Sequence, residues 1–165
     1  MKRIATAVTL LMAMAAMSKT LTADPMPPAC DVLQAIDVAV TLGPGTTYAP
    51  VTQFDNQHVR MSLCSADTPD LSARMTLMVR ENLAPQVPDV AILRQQTIDG
   101  LRETIGQATV IEDVDIGDAA IWVDEIGQLT VWHRAGRVMF IFSPTPMQDR
   151  AAAEAAARKT LAAFP

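Results

Sequence analysis

The sequence predicts an α+β fold: an antiparallel sheet of about five to seven strands, two or three helices packed against it, and one disulfide. Three observations carry this expectation. Between Ile116 and Ser143, three strand-like runs, Ile121–Glu125, Gln128–His133 and Arg137–Phe142, are joined only by Ile126-Gly127 and Arg134-Ala135-Gly136. Connections that short force antiparallel pairing, and each supplies a glycine for a reversal at positive φ. Second, Leu71–Arg80 alternates, with Leu71, Ala73, Met75, Leu77 and Val79 on one side and Ser72, Arg74, Thr76, Met78 and Arg80 on the other. Third, helical spacing recurs near both ends of the chain, and two cysteines lie in its first half.

The first 23 residues read as an export signal. Lys2 and Arg3 make a positive start, and Ile4–Met17 is an uncharged, mostly apolar run, shorter than the roughly 20 apolar residues that span a bilayer. Cleavage is expected after Ala23, with Ser18 as the alternative. Residues 24–29, holding Pro25, Pro27 and Pro28, read as a leader, and residues 30–165 as a single globular domain. Export sends the chain to the periplasm of a Gram-negative bacterium or out of the cell, where the only two cysteines, Cys30 and Cys64, are expected to pair. No stable membrane insertion is expected after cleavage.

Removing the signal through Ala23 takes away Lys2, Arg3 and Lys19 and moves the formal charge from −5 to −8. A body that acidic repels phosphate backbones and anionic membranes, so nucleic acid is not an expected partner. Arg60, Arg74 and Arg80 fall in neighbouring strand-like runs, where solvated strand positions are a simpler reading than a basic patch.

Taken in order, Asp31–Leu42 has helical spacing at Val32, Leu33, Ile36, Ala39 and Val40, with Asp31 as N-cap and Gly43-Pro44 as the stop. Tyr48–Phe54 and His58–Cys64 form a strand pair around Asp55-Asn56-Gln57. Cys64 then points away from the face that carries Val59, Met61 and Leu63. Asp89–Ile105 reads as a helix burying a stripe of Val90, Leu93, Thr97, Leu101 and Ile105, broadened by Ile98 and ended by Gly106. Ala108–Val114 is a strand leading into the meander. The meander's last strand, Val138–Phe142, is apolar on both faces, so the sheet is expected to be covered on both faces at least locally. Thr145-Pro146-Met147-Gln148 fits a capping box, opening an alanine-rich helix anchored by Leu161 and Phe164.

This order resembles a family of small exported actinobacterial lipoproteins that carry a cysteine-paired domain of unknown function. The resemblance rests on Cys30-Asp31-Val32-Leu33 opening a helix that ends at Gly43, on Cys64 after a strand pair, and on Ile116-Gly117-Asp118-Ala119-Ala120 followed by Leu129-Thr130-Val131. The chain departs from the family in lacking an acylation box and in having Ser65 after the second cysteine. The resemblance implies an antiparallel sheet with helices against it and a disulfide tying the first helix to the sheet. It implies no activity.

Motifs for chemistry are sparse, and neither a catalytic residue nor a cofactor is assigned. There is no Gly-x-Ser-x-Gly, no glycine-rich phosphate loop and no His-Glu-x-x-His. His58 and His133 are the only histidines, each read as a surface or strand-end residue rather than a base. Methionines 61, 75 and 78 fill core in alternating strands more readily than they bind copper. Glu112, Asp113, Asp115 and Asp118 are the one local set of hard oxygen ligands for calcium. Their spacing fits no EF-hand loop, and a solvated acidic face is the plainer account. Trp122 and Trp132 sit on adjacent strands. A tight turn that sets them opposite one another would bring the indoles together on one face, where with Tyr48 they form a candidate binding surface, core packing being the competing reading.

The functional expectation is a non-catalytic exported protein that binds another protein or a small molecule. An inhibitor or immunity-type protein, its acidic body steering a basic partner, is one specific version. A periplasmic hydrolase with a dispersed site is the competing class.

Overall fold

The computed structural model describes residues 24–146 and 149–165, so the export signal expected over residues 1–23 lies outside the described residues. Seven strands, β1 (Thr47–Asp55), β2 (Val59–Asp67), β3 (Arg74–Asn82), β4 (Ile111–Val114), β5 (Ala119–Val123), β6 (Gln128–His133) and β7 (Val138–Thr145), form one sheet in the order β1-β2-β3-β7-β6-β5-β4. Every pairing is antiparallel. Two local meanders, β1-β2-β3 and β4-β5-β6-β7, are thus joined where β7 pairs with β3. The doubly apolar β7 takes this central position, where both of its edges are paired and Val138, Phe140 and Phe142 are fully buried on one face.

Helices α1 (Ala29–Ala35) and α4 (Arg150–Ala163) lie on that face, α1 over β1, β2 and β3 and α4 over β6 and β7. They close the main core, which includes Val32, Leu33, Cys64, Leu77, Leu129, Val131, Phe140 and Phe142. A short helix α2 (Ala39–Leu42) follows α1. Helix α3 (Val90–Thr104) packs on the other face, where Ile98, Ile121 and Trp132 form a second, smaller core. The sheet is therefore covered on both faces around β6, with α4 on one side and α3 on the other. The α+β class, the antiparallel sheet and the disulfide all stand as the sequence predicts.

Cys30 on α1 and Cys64 on β2 are bonded, with Cα atoms 5.1 Å apart and 34 residues between them in sequence. Beside the bond, the Ala29 N–H donates to Ser62 Oγ at 2.8 Å. The first turn of α1 is thus satisfied by β2 and not by Asp31, because the helix begins two residues earlier than expected, after Pro28. The expected single helix to Leu42 is broken at Asp37, which takes a left-handed φ of 52°. That reversal buries Ile36 and Val38 together. Upstream, the stretch read as a leader contributes Met26 and Ala29 to the core.

Other boundaries differ as well: β4 starts at Ile111 and not Ala108, and β5 runs Ala119–Val123 and not Ile121–Glu125. Leu71 sits in the β2–β3 turn at φ 58° and is exposed, so β3 starts at Arg74. The expected alternation survives with its buried side intact at Met75, Leu77 and Val79. At the other end, Thr145 closes β7, and α4 is capped by Asp149, which accepts the Ala152 N–H at 3.0 Å. Met147 and Gln148 of the expected capping box lie outside the described residues. The helix is seated by Ala152, Ala153, Ala156, Ala157 and Thr160 and not chiefly by Leu161 and Phe164, which are half-buried. Small side chains let its backbone approach the sheet closely.

Gly117, between β4 and β5, has φ +67°, and a Cβ there would lie 2.6 Å from the backbone carbonyl oxygen of Trp132. Neither the conformation nor the space suits an L side chain, and the obstructing atom is main chain, which cannot rotate away. Gly117→Ala is expected to destabilise the fold by about 2 to 3 kcal/mol in a denaturant titration. A loss below about 0.5 kcal/mol would contradict the packing of β5 on β6 described here.

Candidate functional site

The candidate residues named from sequence do not come together. Trp122 pairs with Leu129, and Trp132 pairs with Ala119, so the two indoles lie on opposite faces of the sheet. The expected register fails because Asp124–Ile126 forms a 3-10 turn before Gly127, which is left-handed. The connection between strands is thus Asp124 to Gly127, longer than Ile126-Gly127, and Trp122 stands three residues from Ala119, the partner of Trp132, an odd spacing that sends the two side chains to opposite faces. Both are 2% exposed. Trp122 packs in the main core with its Nε1–H donating to Asp124 Oδ1 at 3.2 Å, and Arg150 lies over its ring. Tyr48 is half-buried against that main core. The three do not form one surface.

The histidines are apart as well. His133 Nε2 donates to the Phe164 carbonyl oxygen at 3.0 Å, fastening the end of α4 to β6. His58 is in the exposed β1–β2 turn with its Nε2 against Gln57 Nε2. Ser62 is occupied by the Ala29 N–H, Ser65 Oγ donates to Asp67 Oδ2 at 2.7 Å, and Ser72 Oγ donates to Asp70. Among the described residues no serine is hydrogen-bonded to a histidine, the pairing that activates a hydroxyl nucleophile.

The acidic run is used as fasteners. Glu112 and Asp113 point to opposite faces of β4: Glu112 meets Arg150 of α4 at 2.5 Å, and Asp113 accepts from Arg94 Nε of α3 at 2.9 Å. Asp118 accepts the Ala135 N–H at 2.7 Å across the β6–β7 turn. No three His, Cys, Asp or Glu side chains converge on a point that could hold a metal among the described residues.

Arginines 60 and 74 are likewise paired, and on different faces. Arg60 bridges Asp55 and the buried Glu81 across β1, β2 and β3, at 3.1 Å to each. Arg74 binds Asp67, its partner in the β2–β3 ladder. Burial pushes the Asp67 carboxyl up, but the hydrogen bonds from Arg74 and Ser65 outweigh it and hold the group below the usual carboxylate range. A folded-state value below the unfolded one means that ionised Asp67 stabilises the fold above about pH 4 and that this contribution fades as pH falls through the lower, folded value. Acid titration of stability is therefore expected to fall more shallowly below about pH 4 in Asp67→Asn than in the parent. Parallel acid limbs would show that Asp67 is not so held.

A groove of about 290 Å³ lies between α3 and the sheet. Its floor is one cross-strand row, Arg80, Met139 and Trp132, on β3, β7 and β6. Arg137 stands beside this row, its carbonyl accepting the Asn82 N–H at 2.8 Å. Leu93, Gln96 and Thr97 of α3 form the wall. The Arg137 guanidinium is fixed by Nη1, which donates to the carbonyls of Asn82 and Ala84 at 3.0 Å each. Asn82 Oδ1 accepts the Ala84 N–H at 3.0 Å, and its amide NH₂ has no partner among the described residues. Arg80 and Arg137 form no ion pair among the described residues, and no acidic side chain lines the groove. The polar side of β3 and the helical stripe of α3 were both legible in sequence. That α3 sits on this face, beside Arg80, was not, since nothing local says which face of a sheet a helix will cover.

Compared with known proteins, the chain matches no protein-family model, no curated protein and no solved structure. No helix among the described residues is long and apolar enough to cross a membrane.

Proposed function

We propose that this is an exported protein with a non-catalytic role, binding a small molecule or another protein through the groove under α3. One observation carries the reading: a concavity of ligand size in which Met139 and Trp132 lie beside two arginines that meet no acidic side chain among the described residues, on a chain whose formal charge is −5. The disulfide between α1 and β2 supports an oxidising destination, the periplasm or the exterior. The hydrolase reading finds less support. His133 is tied to a backbone carbonyl, and His58 stands in an exposed turn with no serine hydrogen-bonded to it.

The test is capture from periplasmic extract on the immobilised mature chain, with small molecules eluted and identified alongside proteins. Recovery of a ligand or partner that is lost when Arg80 is changed supports the proposal. Recovery of nothing, together with turnover of a small ester or glycoside that disappears on mutating His58 or His133, would overturn it. An inhibitor or immunity-type role predicts that the captured partner is a basic protein.

A further inference from the structure

Resting on that binding role, we infer that the groove under α3 takes a small organic carboxylate carried on a compact apolar body. Arg80 and Arg137 are diagonal neighbours on adjacent strands and share a face, since Arg80 pairs with Met139 and Asn82 bonds to Arg137. Elsewhere Arg60, Arg74, Arg94, Arg150 and Arg158 each meet an aspartate or glutamate, while Arg102 and Arg134 meet none among the described residues but do not stand beside a second unpaired arginine on the same strand row. Two cations placed together without a counter-charge repel each other, and an anion between them removes that repulsion.

Arg137 is held in place before any ligand arrives, because two carbonyls clamp its Nη1. Its Nε and Nη2 take no partner among the described residues, so the guanidinium presents a fixed fork to a planar carboxylate. The Asn82 NH₂ supplies a further donor beside it. The rest of the floor is Met139 and the indole of Trp132, with Leu93 above, which suits an apolar body and not a bare inorganic ion. At about 290 Å³ the space lies at the lower end of ligand pockets, which begin near roughly 300 Å³. A compact acid fits and an extended chain does not.

The experiment titrates the mature, oxidised protein with benzoate, benzamide and inorganic phosphate, reading ¹H–¹⁵N spectra and calorimetry. Trp132 lines the groove, and Trp122 lies on the opposite face as an internal control. Benzoate is expected to shift the Trp132 indole signal saturably and leave that of Trp122 in place. Benzamide, of the same shape without charge, should bind at least tenfold more weakly. Arg80→Met keeps the apolar stem of an exposed side chain, so the fold is retained and benzoate binding should fall at least tenfold.

Equal binding of benzoate and benzamide, tighter binding of phosphate than of benzoate, or unchanged affinity in Arg80→Met would each overturn the inference. If benzoate fails while the immobilised chain still captures a partner, the carboxylate assignment falls and the binding role stands. If both fail, the binding role falls with it.

Discussion

Replacing both Cys30 and Cys64 with alanine is expected to lower the stability of the protein by roughly 3 to 4 kcal/mol, the loop-closure value for a bond across 34 residues. For a chain of this size, that corresponds to a fall in Tm of about 10 °C. The bond joins α1 to the buried side of β2, and α1 covers β1, β2 and β3, the half of the sheet over which α4 does not lie. Without it, α1 is held by burial of Val32 and Leu33 and by the Ala29 to Ser62 hydrogen bond. The double alanine variant avoids leaving a buried thiol beside the core. A calorimetric scan of the variant against the oxidised parent decides the matter: a difference under about 2 °C would mean that the crosslink adds little to what the core already supplies.

Trp122→Ala and Trp132→Ala should each cost about 3 to 5 kcal/mol, as deletion of a large buried aromatic leaves a cavity that the surrounding sheet cannot collapse to fill. More informative is the coupling between the two sites. Trp122 belongs to the core under α1 and α4, and Trp132 to the one under α3. They are separated by the thickness of the sheet. In a double-mutant cycle with the milder Trp→Phe changes, the effects should add within about 0.5 kcal/mol. Side chains packed together on one face would instead couple by roughly 0.5 to 3 kcal/mol, and a value in that range would reverse the face assignment.

The same pair shows where sequence reading stops. The second strand was placed at its observed bounds, the first was expected two residues too late, at Ile121–Glu125 instead of Ala119–Val123, and the turn glycine was found. The register was not, because Asp124–Ile126 coils into a 3-10 turn that ends in left-handed Gly127 and slides the pairing by two residues; the shared face failed separately, since even a two-residue turn at Ile126-Gly127 sets Trp122 opposite Val131 and not Trp132. Faces alternate with a period of two, and Trp122 lies an odd three residues from Ala119, which pairs with Trp132, so the indoles are separated by the sheet. The alanine-rich helix was equally legible in type and not in contact: the large residues Leu161 and Phe164 looked like anchors, but close approach to β6 and β7 is made by alanines. In the candidate site, Arg80 was visible as one of three strand arginines. Arg60 and Arg74 find carboxylates across the ladder and Arg80 does not, a difference that depends on strand neighbours far apart in sequence.

Local pattern alone determined the α+β class, the alternation of β3, the doubly apolar β7 and the pairing of two solitary cysteines, since each follows from side-chain periodicity or from having a single possible partner. Tertiary structure alone decided that β7 joins β3 at the centre of one sheet, that α3 takes the face opposite α1 and α4, and that a groove opens beside it with two arginines that form no ion pair among the described residues. The reason is physical: an amphipathic helix records how much apolar surface it must bury, and the face that receives it is set by chain crossings and competing helices that no local stretch of residues encodes.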